Sequence, residues 1–289
     1  MVLDLGGILT AMVTPFDARG ELDEDAAVRL MDHLLDHGSD GLVLCGTTGE
    51  ASTLADEEKL RLIRLGVEEA RRSHPGATIV AGVGHNDTRH TVQLTERVTE
   101  LRPDALLVVN PYYNKPSRKG IISHFEAVAK ATDLPIVLYN IPQRTAQDMS
   151  NDLLAELAQI DNVKAVKQAN PKNLARLEGL AVYAGNDDML ADVLDLGEPG
   201  GVLVASHLVG EEMRRMVDEP ECRHEIDHGL RDVYRELAVA PLACSVKAAL
   251  GMMGFEVGRP RLPYVELEES ELHVVRQLLE RRGLLATAA

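Results

Sequence analysis

The sequence predicts an α/β fold: a closed (β/α)8 barrel of the TIM type, followed by a C-terminal helical appendage. Three observations carry this. Eight short runs rich in Val, Ile and Leu alternate with amphipathic stretches up to about residue 206. The runs are continuously apolar rather than alternating, the pattern of parallel strands covered on both faces. Their strand-then-helix order repeats, and eight parallel strands joined by right-handed crossovers close into a barrel.

In chain order the runs fall at 8–14 (ILTAMVT), 41–45 (GLVLC), 78–83 (TIVAGV), 105–109 (ALLVV), 135–140 (PIVLYN), 163–167 (VKAVK), 181–185 (AVYAG) and 201–206 (GVLVAS). The helix from Asp23 to His37 carries Ala27, Leu30 and Leu34 on one face and stops at Gly38. The next, from Asp56 to Arg72, carries Leu60, Ile63, Val67 and Ala70, with Thr53-x-x-Asp56 as its capping signal. Leu94, Val98 and Leu101 repeat the spacing before Pro103. After Ser206 the strands cease. Pro241 and Gly258-Arg259-Pro260 punctuate a helical remainder, whose last helix carries Leu272, Val275 and Leu278. The expected division is a barrel with the active site over 1–225 and a helical domain over 226–289.

Length and composition bound the function. A chain of 289 residues, 45% hydrophobic and 26% charged, has the composition of a soluble globular protein with a large core. Its net charge of −16 excludes a nucleic-acid partner, which needs a basic surface. No run is long enough to cross a bilayer, and the segment MVLDLGG lacks the features of a secretory signal. Cys45, Cys222 and Cys244 are odd in number and have no ligand-like spacing. The expected setting is cytoplasmic, with no metal and no cofactor.

Barrel enzymes do their chemistry at the carboxyl ends of the strands, so the polar residues there define the candidates. Lys167 closes the sixth run. An ammonium taken out of water loses stability, its pKa falls, and the neutral amine becomes a nucleophile. Lys164 starts the same run near the bottom of the barrel and is expected in solvent. Lys247 lies in the appendage, where a solvated or structural role is expected. The second run ends in Cys45-Gly46-Thr47-Thr48-Gly49-Glu50, whose hydroxyls and free N–H groups suit a carboxylate, although a plain capping turn fits as well. No lysine follows in Walker position, which argues against a nucleotide loop. The fifth run carries Tyr139 next to its last residue and leads to Arg144: a phenol able to shuttle protons and a planar fork for a carboxylate. A core aromatic and a surface ion pair are the bland alternatives. Tyr112 and Tyr113 sit in a proline-bounded loop after the fourth run, while Gly185 and the stretch around Val202 let backbone approach a small ligand. His33 and His37 are four apart on a helix but alternate with Asp32 and Asp36, as on a solvated face.

Together, GTTGE at 46–50, PYYNKP at 111–116, YNIPQRT at 139–145 and Lys167 resemble the Schiff-base-forming pyruvate lyases, the family of dihydrodipicolinate synthase and N-acetylneuraminate lyase. The resemblance runs nearly end to end, from Thr10-Ala11-Met12 to Arg261-Leu262-Pro263. Arg144 and the tandem threonines align the chain with the synthase branch. The resemblance implies condensation of pyruvate with L-aspartate 4-semialdehyde in lysine biosynthesis. Lys167 would form the imine, and Thr48 with backbone near Val202 would hold the pyruvate carboxylate. Tyr139 would move protons through Thr47 to Tyr113 of a neighbouring subunit, and Arg144 would orient the aldehyde. It further implies a homo-oligomer, a tetramer being the expected form. Ala146, Gln168 and Asn186 depart from the family pattern beside the site. Two rival readings are an aldolase acting on a 2-keto-3-deoxy acid and a catalytically silent keto-acid sensor. Lastly, the intersubunit pocket where lysine inhibits some relatives aligns here with Lys59 and His90. That pair lacks an acid for the effector's ammonium, so insensitivity to lysine is expected.

Overall fold

The computed structural model describes residues 3–286. Eight parallel strands close in sequential order, with β8 returning to β1. The strands are β1 (Ile8–Ala11), β2 (Gly41–Leu44), β3 (Thr78–Gly82), β4 (Ala105–Val109), β5 (Ile136–Asn140), β6 (Val163–Gln168), β7 (Ala181–Ala184) and β8 (Gly200–Leu203). The helices are α1 (Glu24–Asp36), α2 (Asp56–Ser73), α3 (Thr88–Thr99), α4 (Arg118–Ala129), α5 (Pro142–Thr145), α6 (Asn151–Leu157), α7 (Leu190–Asp195) and α8 (Ser206–Asp218). The remaining three are α9 (Arg223–Leu237), α10 (Leu242–Met252) and α11 (Glu269–Arg282).

The expected (β/α)8 barrel with a helical appendage is the observed fold. The Val-, Ile- and Leu-rich strands are buried along almost their whole length, because helices cover the outside and side chains fill the inside. Tyr183 is fully buried, and its hydroxyl accepts a hydrogen bond from the Leu5 N–H at 2.9 Å, tying the chain's start to β7.

The structure corrects several local readings. The first and last runs are longer than their strands: β1 stops at Ala11, and Ser206 already begins α8. The sixth crossover is a single 3-10 turn, Pro171–Asn173, instead of an α-helix. The N-cap of α2 is Ala55, and Glu58 reaches back to accept from its N–H at 2.9 Å. Thr53 instead donates its hydroxyl to the Glu50 carbonyl at 3.0 Å. The expected boundary at 225/226 falls inside α9. That helix packs on α8 and α11, while α10 touches α8, α9 and α11. Lys164 is half-buried, and Lys247 is fully buried in an ion pair rather than solvated.

Candidate active site

Strands β5 and β6 pair with Tyr139 opposite Lys167. Directly paired residues of neighbouring strands point to the same face, so both side chains enter the barrel mouth together. The Lys167 Nζ lies 4.5 Å from the centroid of the Tyr139 ring. Burial brings the Lys167 pKa down to about 8; the Asp187 carboxylate opposes that fall and the Arg144 guanidinium adds to it. A substantial share of the amine is therefore neutral in mildly alkaline solution. Burial pushes the Tyr139 phenol the other way, up to about 12, against the effect of its hydrogen bond with Thr47 and the charge of Arg144. Tyr139 stays protonated at neutral pH and can lend its proton along the Thr47 hydroxyl.

The turn that presents Thr47 and Thr48 follows β2 directly. It is held by the Glu50 N–H donating to the Thr47 carbonyl at 3.1 Å and the Thr14 hydroxyl donating to the Gly49 carbonyl at 2.7 Å. Thr48 is buried and Thr47 half-buried. A cavity of about 530 Å3 opens beside this turn, lined by Thr47, Tyr139, Arg144 and Thr145 and reaching Lys59 and His90. Arg144 sits on α5 at its rim, exposed.

The cavity thus gathers Thr47, Tyr139 and Arg144, while Lys167 stands against the Tyr139 ring without itself lining the cavity, and Thr48 is next in the turn. Val202 is buried in β8 beside Leu9. Gly185 follows β7, and its N–H donates to the Gln168 carbonyl at 2.8 Å. A Cβ on Gly185 would lie 2.8 Å from the Ala169 backbone nitrogen, so only glycine permits this approach to the end of β6. Tyr113 points away: it is 87% exposed, with φ at +73°, and does not line the cavity of its own chain.

Two features were not singled out from sequence. Asp187 is buried, and burial raises its carboxyl pKa. Its Oδ1 accepts from the Val204 and Ala205 N–H groups at 2.8 and 3.1 Å. Behind the reactive pair, the Asn140 Nδ2 donates to the Gln168 Oε1 at 3.0 Å and to the Asp148 Oδ1 at 2.9 Å. Asn140 and Gln168 follow Tyr139 and Lys167 in sequence, so this bond locks the two strand ends together.

The Lys59–His90 cleft is also corrected. An acid does stand there: Asp56 lies 3.4 Å from the Lys59 Nζ and 2.7 Å from the His90 Nε2. Partial burial pushes the Asp56 carboxyl up, but the hydrogen bonds from His90 and Lys59 outweigh it and hold it below the usual range. Neither residue is a solvated helix side chain, since Lys59 is 8% exposed and His90 half-buried. His33 packs on Phe255, with ring centroids 4.4 Å apart. Among the described residues no group of three or more His, Cys, Asp or Glu side chains is arranged to hold a metal, and no helix is long and apolar enough to cross a membrane.

Comparison with known proteins adds independent findings. The sequence profile of the Dihydrodipicolinate synthetase family matches residues 4–282. The 4-hydroxy-tetrahydrodipicolinate synthase of a Synechococcus species is 43% identical over 296 aligned positions, covering 98% of this chain and 96% of that protein. The crystal structure of the Cyanidioschyzon merolae enzyme, solved with lysine bound, superposes with a TM-score of 0.93 at 36% identity, covering 97% of this chain and 99% of that one. The Acinetobacter baumannii synthase, solved in complex with pyruvate, gives a TM-score of 0.92 at 32% identity, covering 97% and 100%.

Proposed function

The chain belongs to the dihydrodipicolinate synthetase family, and from that premise we propose that it condenses pyruvate with L-aspartate 4-semialdehyde to give 4-hydroxy-tetrahydrodipicolinate, a step of lysine biosynthesis. The observation that carries this is the desolvated Lys167 amine beside the ring of Tyr139, with the exposed Arg144 at the mouth. The neutral amine adds to the C2 carbonyl of pyruvate, and the carbinolamine loses water as Tyr139 supplies a proton. The resulting iminium acidifies the methyl group, whose proton passes to the Tyr139 phenolate, giving an enamine. The enamine carbon attacks the aldehyde, whose carboxylate Arg144 holds in a charge-assisted contact. The substrate's own amine then attacks the imine carbon, closes the ring and releases Lys167. No step needs a metal or an organic cofactor.

Thr48 and the backbone around Val202 hold the pyruvate carboxylate, while Gly185 lets the wall of the pocket come close. Tyr113 serves the site of a partner subunit, which accounts for a large aromatic left in solvent with positive φ. The working form is a homo-oligomer, with a tetramer as the arrangement to test. Its three free cysteines fit the cytoplasm.

Borohydride reduction in the presence of pyruvate, followed by mass spectrometry, should leave a single adduct on Lys167. Product analysis with aspartate semialdehyde should then show the cyclic hydroxy acid. An adduct on another lysine overturns the assigned nucleophile. An adduct on Lys167 with turnover only of a 2-keto-3-deoxy acid would favour the aldolase instead.

A further inference from the structure

The most heavily buried ion pair near the site involves none of the residues assigned above. Glu50, the last residue of the turn carrying Thr47 and Thr48, is 1% exposed and sits at φ +55°. Its Oε1 lies 2.6 Å from the Nζ of Lys247 in α10, and its Oε2 accepts from the Arg261 N–H at 2.8 Å. Both partners come from the appendage. Lys247 also donates to the Arg259 carbonyl at 3.3 Å. The Arg261 guanidinium bridges to the Gly20 carbonyl at 2.8 Å, the Thr53 carbonyl at 3.1 Å and the Glu58 carboxylate at 2.6 Å. The two cations cover the Phe16 ring, at 4.0 and 4.1 Å from its centroid. The loop between them is pressed so closely on Phe16 that a Cβ at Gly258, where φ is +69°, would lie 1.9 Å from the Phe16 carbonyl.

A buried charge pair is a weak source of stability, because desolvation offsets the attraction. What such a pair does well is fix geometry, since either charge left alone in the interior is strongly unfavourable. Here the fixed object is the turn itself. The Glu50 N–H donates to the Thr47 carbonyl, and Thr47 faces the Tyr139 phenol across the same cavity. A displacement of Glu50 therefore moves the carboxylate-binding hydroxyls and the proton relay together.

We propose that Lys247 is a positioning residue for pyruvate, acting through Glu50, and that the appendage clamps the Thr47-Thr48 turn into its working shape. This rests on the assignment of that turn to the pyruvate carboxylate. The aldehyde side, held by Arg144 after β5, lies outside the clamp.

The test is steady-state kinetics of Lys247→Met, of Lys247→Arg, and of the double variant Lys247→Met/Glu50→Gln, which leaves no orphaned buried charge. The KM for pyruvate should rise about tenfold or more in the single Met variant and in the double. The KM for aspartate semialdehyde should stay near the wild-type value, and Lys247→Arg should recover part of the pyruvate affinity. A merely structural role predicts a smaller active fraction, hence lower kcat with both KM values unchanged, and that result overturns the proposal. Should Lys247→Met fail to fold, the double variant decides alone. Wild-type protein that forms no borohydride-trapped pyruvate adduct would instead refute the functional reading, which keeps the two failures apart.

Discussion

At Lys167 the decisive quantity is the balance of three influences on one amine. Burial drives protons off, Arg144 reinforces this, and Asp187 holds them on. Below the resulting pKa of about 8 the group is mostly an ammonium, and only the shrinking neutral fraction can attack a ketone. The rate of pyruvate imine trapping should therefore rise with pH and level off above that value. Asp187→Asn removes the influence that favours the ammonium, so the rising limb should move to lower pH; a limb that stays put would show that Asp187 does not act on Lys167. Arg144→Ala removes a charge-assisted contact worth about 1.5–3 kcal/mol. Turnover with aspartate semialdehyde should fall accordingly while the Lys167 adduct still forms, and equal loss of both steps in single-turnover assays would contradict its assigned role. Lys167, Tyr139 and Arg144 were legible in sequence because each closes or follows an apolar run. Asp187 was not, since its bearing on Lys167 appears only when the ends of β6, β7 and β8 come together. Lys247 and Arg261 were hidden for a related reason: the Arg261–Glu50 contact joins residues 211 apart, with no periodicity to announce it.

At the level of elements, hydrophobic runs located all eight strands but overstated the first and last. Apolar character continues wherever a segment is covered, whereas a ladder ends where its partner turns away. Thus Met12 to Thr14 are buried beyond the end of β1. The helix-facing cleft between α2 and α3 carries a similar lesson, because aligned positions alone did not reveal that Asp56 joins Lys59 and His90. Asp56 is already engaged by the Lys59 ammonium and the His90 ring, which leaves it little capacity to receive an incoming ammonium. A lysine molecule would have to displace the Lys59 ammonium from a largely dry site, and like charges repel there. Free lysine should accordingly leave initial rates unchanged across millimolar concentrations at neutral pH. Saturable inhibition in that titration would mean that Asp56 turns from its internal partners to the effector.

For the molecule as a whole, closure of the barrel was readable from the count and order of its runs. The way the appendage grips it was not, because a helical pattern says which face is apolar but not which buried cation that face carries. Barrel and appendage share one core, so stability should respond to pH as a single unit, and two buried histidines set the direction. The His207 Nε2 accepts from the Val13 N–H at 3.2 Å while its Nδ1 faces the Val204 carbonyl at 2.8 Å, an arrangement that requires the neutral ring. The His124 ring is held by Thr88 at 2.9 Å on one side, and its Nε2 is buried without a partner among the described residues. Burial lowers both pKa values from 6.5 to about 4. As pH falls, the unfolded chain binds these protons first. The associated stability is fully present above pH 6.5 and is lost as pH falls toward 4. Each ring can contribute on the order of 3 kcal/mol to that loss. Urea unfolding of the wild type should therefore show a steep decline in stability across this window. In His124→Gln and His207→Gln the decline should be shallower, even though each variant begins less stable at neutral pH. Parallel pH profiles for wild type and both variants would show that acid unfolding is governed by carboxylates instead.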